Sequence, residues 1–367
     1  MSPVDRRVLH VLVVDDSAVV REVMQRILGA LDSFSVTTAA DPLIAARKMA
    51  IARPDVLLLD LAMPNMDGLS FLRKVMAEDP IPVVVCSAMA DGTADLALRA
   101  LEEGAVDVVT KPRVGVRGFL EESVTLLVDA LRGAAEASGA RFRAPPLLRQ
   151  APERIESPGQ RVFTSEAVIA IGASTGGTEA LGIVLGSLPE DVPGLVIVQH
   201  MPEGFTGAFA RRLDRSCRIA VKEAADGDRV QRGRALIAPG NRHMTVRREG
   251  SSWLVRIVDG PLVSRHRPSV DVLFRSVADA AGPNALGVLL TGMGSDGAEG
   301  LRAMKSRAAS TIAQDAETCV VFGMPREAIA RGVVDEVVPL PRIARVLLDR
   351  VACHAGAKSA TKRTETR

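Results

Sequence analysis

The chain contains no tyrosine, and aromatic residues make up only 3% of its 367 residues. Platforms that stack single-stranded bases need aromatic faces, so the composition argues against that class of binder. Formal net charge is +2. Such near-balance gives no electrostatic footprint for broad nucleic-acid or membrane binding. Four cysteines, Cys86, Cys217, Cys319 and Cys353, are scattered without a CxxC pair. They read as free thiols in a reducing compartment. The opening residues, "MSPVDRRVLHVLVVDD", hold a short apolar run interrupted by His10 and closed by two aspartates. That run reads as a first strand and not as a signal peptide. No apolar run is long enough to cross a bilayer. The expectation is a cytoplasmic protein with no direct membrane insertion and no nucleic-acid partner.

What is present is ample apolar material, 47% of residues, in a chain longer than one core usually serves. Two α/β domains are expected. Over the first 130 or so residues, the runs "VLHVLVV", "SVTTAA", "DVLLLD", "IPVVVCS" and "VDVVT" alternate with amphipathic stretches such as "SAVVREVMQRILGAL". That alternation predicts a doubly wound parallel sheet of five strands. From Gly133 the pattern gives way to a segment rich in Ala, Arg, Pro and Gly, with prolines at 145, 146, 152 and 158. This segment reads as a linker. Strand-like runs return as "AVIAIGAS", "GLVIVQH", "RALIAPG", "WLVRIVD", "ALGVLLTG" and "STIAQD". They predict a second α/β domain with a mainly parallel sheet. The expected boundaries are 6–132, a linker over 133–164, 165–353, and a disordered, basic tail over 354–367.

In an open parallel sheet, sites form beyond the carboxyl ends of the strands. In the N-terminal half those ends carry Asp15 and Asp16, Asp60, Ser87, and the Thr110-Lys111-Pro112 step. Clustered carboxylates suit a hard divalent cation such as Mg²⁺. An aspartate beside the cation can form an aspartyl phosphate, with lysine and serine meeting the phosphoryl oxygens. "VVDDSAVVR", "LLLDLAMPNMDG", "CSA" and "TKP" resemble the response-regulator receiver domain over roughly residues 8–130. The resemblance implies a flavodoxin-like fold, Asp60 as phosphoacceptor, and Asp15 and Asp16 helping to hold Mg²⁺. It also implies that Ser87 and Lys111 sense the phosphoryl group. Val108 stands where receivers usually place a switching aromatic.

The C-terminal half opens on "IAIGASTGG", Ile169 to Gly177. The dinucleotide fingerprint needs a glycine where Ser174 stands, and no P-loop pattern occurs. A G-x-S-x-G pattern does fit, from Gly172 to Gly176. It places a serine on a tight strand-to-helix turn, with the N–H groups of Thr175, Gly176 and Gly177 aimed where an oxyanion would form. A serine that merely caps the next helix fits the pattern equally well. Of five histidines, His200 ends the run "GLVIVQH" at the same sheet edge and is the best base by geometry. His243 and His266 fall in loops. "ALGVLLTGMGSDGAEG" opens at that edge too, and its first acid is Asp296. The order Ser, His, Asp differs from that of the α/β-hydrolases, so the match carries no evidence for that fold.

"IGASTGG", "VIVQHMP", "APGNRHM", "PSVDVLF", "LLTGMGSDGA" and "VFGMPREA" resemble the catalytic domain of the chemotaxis protein-glutamate methylesterase family, CheB. The resemblance implies a catalytic triad of Ser174, His200 and Asp296, with Thr175 and Met293 lining the site. It implies hydrolysis of γ-glutamyl methyl esters on methyl-accepting chemoreceptors and deamidation of selected receptor glutamines. It further implies a chemotaxis histidine kinase as phosphodonor, activation by phosphorylation, and no cofactor for esterase catalysis. A phosphorylation-gated, non-catalytic receptor adaptor is the alternative. A receiver joined to a nucleotide-binding module is a further rival.

Overall fold

A computed structural model describes residues 8–63, 67–88, 93–111, 117–137, 155 and 167–364, with the side chains of 117–123 and 353–364 excepted. The chain divides into two compact units, residues 1–146 and 147–367.

The first unit alternates strand and helix: β1 (Leu9–Val14), α1 (Ala18–Gly29), β2 (Phe34–Ala39), α2 (Pro42–Ile51), β3 (Val56–Leu59), α3 (Gly68–Glu78), β4 (Val83–Ser87), α4 (Thr93–Glu102), β5 (Asp107–Thr110) and α5 (Arg117–Ala137). Its five strands are all parallel in the order β2-β1-β3-β4-β5. This is the flavodoxin-like doubly wound order, which opens a crevice at the carboxyl ends of β1 and β3. Strand β3 is VLLL and buried throughout, as a strand covered by helices on both faces must be. Side-chain caps start the helices. Ser17 accepts from Val20 N, and Asp41 from Ile44 N.

The second unit contains β6 (Val168–Ala173), α6 (Gly177–Ser187), β7 (Gly194–Gln199), α7 (Phe205–Ser216), β8 (Ala220–Glu223), β9 (Arg229–Val230), β10 (Arg234–Ile237), β11 (His243–Glu249), β12 (Ser252–Val258), α8 (Val270–Ala281), β13 (Ala285–Leu289), α9 (Ala298–Ser306), β14 (Ser310–Gln314), α10 (Met324–Ala330), β15 (Glu336–Val338) and α11 (Leu340–Thr364). Seven strands pair in parallel in the order β15-β14-β13-β6-β7-β10-β8. The run "WLVRIVD" falls elsewhere. It forms β12, in an antiparallel sheet ordered β11-β12-β9. The chain winds outward from β6 through β7 on one side and later returns to its other side as β13. Strand β6 is therefore the topological switch point, where such sheets open a site.

Helix α8 fixes one wall of that site. Ser269 caps it, and Val270, Leu273, Phe274, Val277, Ala278 and Ala281 recur at three- and four-residue steps and are all buried. Gly172 lets the helix approach the sheet, since a Cβ there would lie 2.3 Å from Val270 Cγ1.

Two helices run past expected boundaries. Helix α5 continues to Ala137, beyond the anticipated end at 132, with Ala134 and Ala137 buried. Alanine is the best helix former, and its small side chain packs closely. The tail expected to be disordered from 354 is helical backbone through Thr364, in keeping with its Ala, Lys and Arg content. The rest of the expected linker, Ile155 apart, lies outside the described residues. So do residues 6–7, 165–166 and 365–367 and Pro112. Among the described residues no helix is long and apolar enough to cross a membrane.

Phe274 is fully buried, and Gly300 of α9 packs so closely on it that a Cβ there would lie 2.5 Å from Phe274 Cβ. Phe274→Ala should cost the second unit about 3–5 kcal/mol of unfolding free energy, read by denaturant titration. A loss under about 1 kcal/mol would show that α8 is not the keystone of this wall.

Candidate active site

In the first unit the acids gather as anticipated. One carboxylate oxygen each from Asp15, Asp16 and Asp60 lies within 4.8 Å of the others. Lys111 Nζ donates to Asp15 Oδ2 at 2.8 Å and to Asp60 Oδ2 at 2.7 Å. Burial pushes the Asp15 carboxyl up, and the lysine only partly offsets this. Lys111 itself is opposed by burial, but its bonds to the two aspartates hold its pKa above the ordinary value. Three carboxylates against one lysine leave a surplus of negative charge and hard oxygen donors. That donor set fits a divalent cation. Ser87 is buried at the end of β4, but its hydroxyl donates to Ala88 O at 3.4 Å and does not reach Asp60 in this arrangement. Val108 is buried in β5, beside Val85 in register.

In the second unit the sheet register does most of the assembly. Ala173 of β6 is paired with Gln199 of β7, so Ser174 and His200 leave adjacent strand ends side by side. His200 N donates to Ala173 O at 3.0 Å. Gln199, just 2% exposed, ties these ends further, because its Nε2 donates to Ser174 O (2.9 Å) and His200 O (3.1 Å). Ser174 N donates to Thr291 O in the loop after β13, and Thr291 Oγ1 donates to Thr175 O. A Cβ on Gly292 would lie 2.7 Å from Ser174 Cβ, so glycine lets this loop sit against the serine. Met293, next in the same loop, is half-buried.

Asp296 is the most heavily bonded group in the site. It accepts from His200 Nε2 (2.9 Å), Ser269 Oγ (2.8 Å), Val270 N (2.7 Å) and Asp271 N (2.9 Å). Two of these donors are the first N–H groups of α8, where the helix dipole favours an anion. Burial opposes its charge. The bond to His200, the pull of that ring and the Asp271 N–H outweigh burial and hold the carboxyl below its usual range. An ionised carboxylate only accepts, so the proton in the 2.9 Å bond belongs to His200 Nε2. The other ring nitrogen, Nδ1, is buried and has no hydrogen-bond partner. Ser174, at the neighbouring strand end, is 9% exposed. The serine–histidine bond itself is not made in this structure, as is common before substrate binds.

Of the turn N–H groups expected to meet an oxyanion, one is removed. Gly177 N already donates to Ser174 O at 2.7 Å, which closes the turn. Gly176 adopts φ +77, a left-handed conformation that favours glycine.

His266, set aside as a loop residue, is brought to the site. Its ring stacks on His200 with centroids 3.8 Å apart and planes within 7°. Its Nδ1 donates to Ser264 O at 2.7 Å. Burial, and then the nearby His200 ring, lower its pKa to about 3. A neutral imidazole thus covers one face of the His200 ring. His200, His266 and Asp296 offer ligand atoms within 4.8 Å of one another, yet parallel stacked rings do not direct their in-plane lone pairs at a common ion. Ser269, Asp271 and Gln199 were also missed as site residues. The motifs "PSVDVLF" and "VIVQHMP" contained them, but spacing alone gave them no role.

The geometry defines a class first: an acid cluster with one lysine at the edge of one parallel sheet, and in the same chain a grouping of serine, histidine and aspartate at the edge of another. Residues 11–116 match the response regulator receiver domain, and residues 169–347 match the CheB methylesterase family. A protein of Anaeromyxobacter dehalogenans named protein-glutamate methylesterase/protein-glutamine glutaminase 5 is 58% identical, over 93% of this chain and 96% of its own. A Geobacter metallireducens protein named protein-glutamate methylesterase/protein-glutamine glutaminase 3 is 54% identical, over 93% and 98%. The crystal structure of the Thermotoga maritima CheB methylesterase catalytic domain covers 51% of this chain and 99% of that one, at 38% identity and a TM-score of 0.50. The chain belongs to the CheB family of receiver-linked methylesterases.

A histidine held neutral against its unfolded-state pKa of about 6.5 destabilises the fold as pH drops, because the unfolded chain takes up a proton that the folded chain does not. His266→Phe keeps a flat ring and removes that proton site. From about pH 7 to about pH 5, wild type should lose about 2 kcal/mol more stability than the variant, measured by urea unfolding. Equal losses would show that His266 protonates freely in the folded state.

Proposed function

We propose that this chain hydrolyses γ-glutamyl methyl esters on chemoreceptors and deamidates selected receptor glutamines, under control of phosphorylation at Asp60. The observation that carries the reading is the division of labour on His200. Nε2 is fastened to an ionised Asp296, and Nδ1 is left without a partner at the strand end next to that of Ser174. Ser174 Oγ attacks the ester carbonyl as its proton passes to Nδ1. Asp296, already ionised, favours the imidazolium that forms. The oxyanion is met by the Thr175–Gly176 turn at the N-terminus of α6, with Met293 lining the pocket. The carbon–oxygen bond to methoxide then breaks, and His200 returns the proton so that methanol departs. Water repeats the sequence in reverse on the acyl-serine and leaves glutamate. A glutamine follows the same course with ammonia as the leaving group.

In the receiver, an Asp60 oxygen takes the phosphoryl group from a phosphohistidine of a chemotaxis histidine kinase, breaking the phosphorus–nitrogen bond. Asp15, Asp16 and Asp60 would hold Mg²⁺, which supplies positive charge to the phosphoryl oxygens. Lys111 adds a further cation, and a Ser87 hydroxyl that rotates from Ala88 adds a hydrogen bond. The aspartyl phosphate shifts the population toward the active arrangement. The setting is the cytoplasm, where kinase and receptor tails meet.

Ser174→Ala should lower methanol release from methylated receptor membranes by about 10⁴-fold or more, and leave phosphate incorporation at Asp60 intact. Retained methanol release would overturn the nucleophile, and the non-catalytic adaptor would gain. A fragment beginning at Ser165 should be more active than the unphosphorylated whole chain. Equal or lower activity would contradict restraint by the receiver.

A further inference from the structure

The triad chemistry leaves one buried carboxylate unused. Asp271 is 2% exposed and lies in the first turn of α8. Its N–H donates to Asp296 Oδ1, and its own Oδ1 accepts from Gly297 N (3.0 Å) and Gly300 N (2.6 Å). Those two donors begin α9, whose N-cap, Gly297, has no side chain to cap with. The caps are therefore crossed. The N-terminus of α8 holds Asp296, which precedes α9, and the N-terminus of α9 holds Asp271, which belongs to α8. Neither helix end shifts without loosening the acid bound by the other.

The second oxygen of Asp271 reaches a different loop. Oδ2 accepts from Ser264 Oγ at 3.1 Å, and Ser264 O accepts from the Nδ1 of His266, the ring stacked on His200. Ser264 and Arg265 have φ of +51 and +70. Non-glycine residues held there carry about 1–3 kcal/mol of strain each and persist only where surrounding contacts over-determine them. Asp271 supplies such a contact. Its burial is itself opposed, since desolvation and then the charge of Asp296 push its carboxyl up. A group so costly to bury, and bonded so fully, calls for a use.

We infer that Asp271 is a positioning residue that holds His200 from two sides. Through Gly297 it fixes Asp296 at the edge of the imidazole, and through Ser264 it fixes His266 against the face. The inference rests on Ser174, His200 and Asp296 being the catalytic unit. The test uses the full-length protein with two readouts: steady-state methanol release, and the rate at which a fluorophosphonate labels Ser174. In that labelling the serine oxygen bonds to phosphorus, fluoride leaves, and the serine proton passes to His200. Asp271→Ala should lower kcat and the labelling rate by about 10- to 100-fold with KM unchanged, as expected for sub-ångström misplacement of a base. Asp271→Asn, whose amide oxygen can still accept both N–H groups, should recover to within about threefold of wild type. Ser264→Ala breaks only the arm toward His266 and should slow labelling by severalfold. Wild-type rates in Asp271→Ala, or equal damage in Asp271→Asn and Asp271→Ala, would overturn the role. If Asp271→Ala does not fold, Ser264→Ala decides, and a wild-type labelling rate there overturns the two-sided hold. Failure of the wild-type protein itself to label at Ser174 would instead overturn the catalytic assignment.

Discussion

The carboxylate of Asp296 at the N-terminus of α8 is the interaction on which the second unit depends. A buried anion is tolerated only where donors replace water, and here four donors do so. Because two of them are backbone groups of a helix, the acid's position is set by packing and not by a flexible side chain. Its charge in turn decides which nitrogen of His200 carries the proton. The place of the proton on His200 thus follows from where α8 lies against the sheet.

That placement rests on small residues. Gly172 belongs to the G-x-S-x-G run, and its evident use is to admit Val270, the first residue of α8. A Cβ on Gly297 would also come within 2.8 Å of Val270 Cγ1. The glycines around the serine and the aspartate therefore let one helix end approach both strand ends. Gly292 performs the matching service on the side of Ser174. Whatever the turn presents at Ser174, the glycines of this run serve the packing of the helix that holds the acid.

The receiver acids, Lys111, Ser174 and His200 were legible because parallel strands bring their carboxyl ends together, and each of these residues stands within two residues of a strand end, whereas Asp296 lies further on, in the loop after β13. Ser269, Asp271 and His266 follow no strand. They belong to a loop and helix start that reach the site only through α8, a placement no strand-end rule reports. Gln199 was hidden differently: it ends an apolar run, but its next neighbour was the conspicuous histidine. The ends of α5 and α11 lie beyond the apolar-periodic runs, so periodicity does not report them. Alanine-rich stretches keep helix propensity without a long apolar stripe.

The most direct measurement is of the His200 tautomer. With imidazole nitrogens labelled with ¹⁵N and the His200 signals assigned, NMR at neutral pH should find the proton on Nε2, in the bond to Asp296, and a bare lone pair on Nδ1. A proton on Nδ1 with Nε2 unprotonated would contradict the arrangement, because Asp296 would then face a lone pair and Ser174 would have no base.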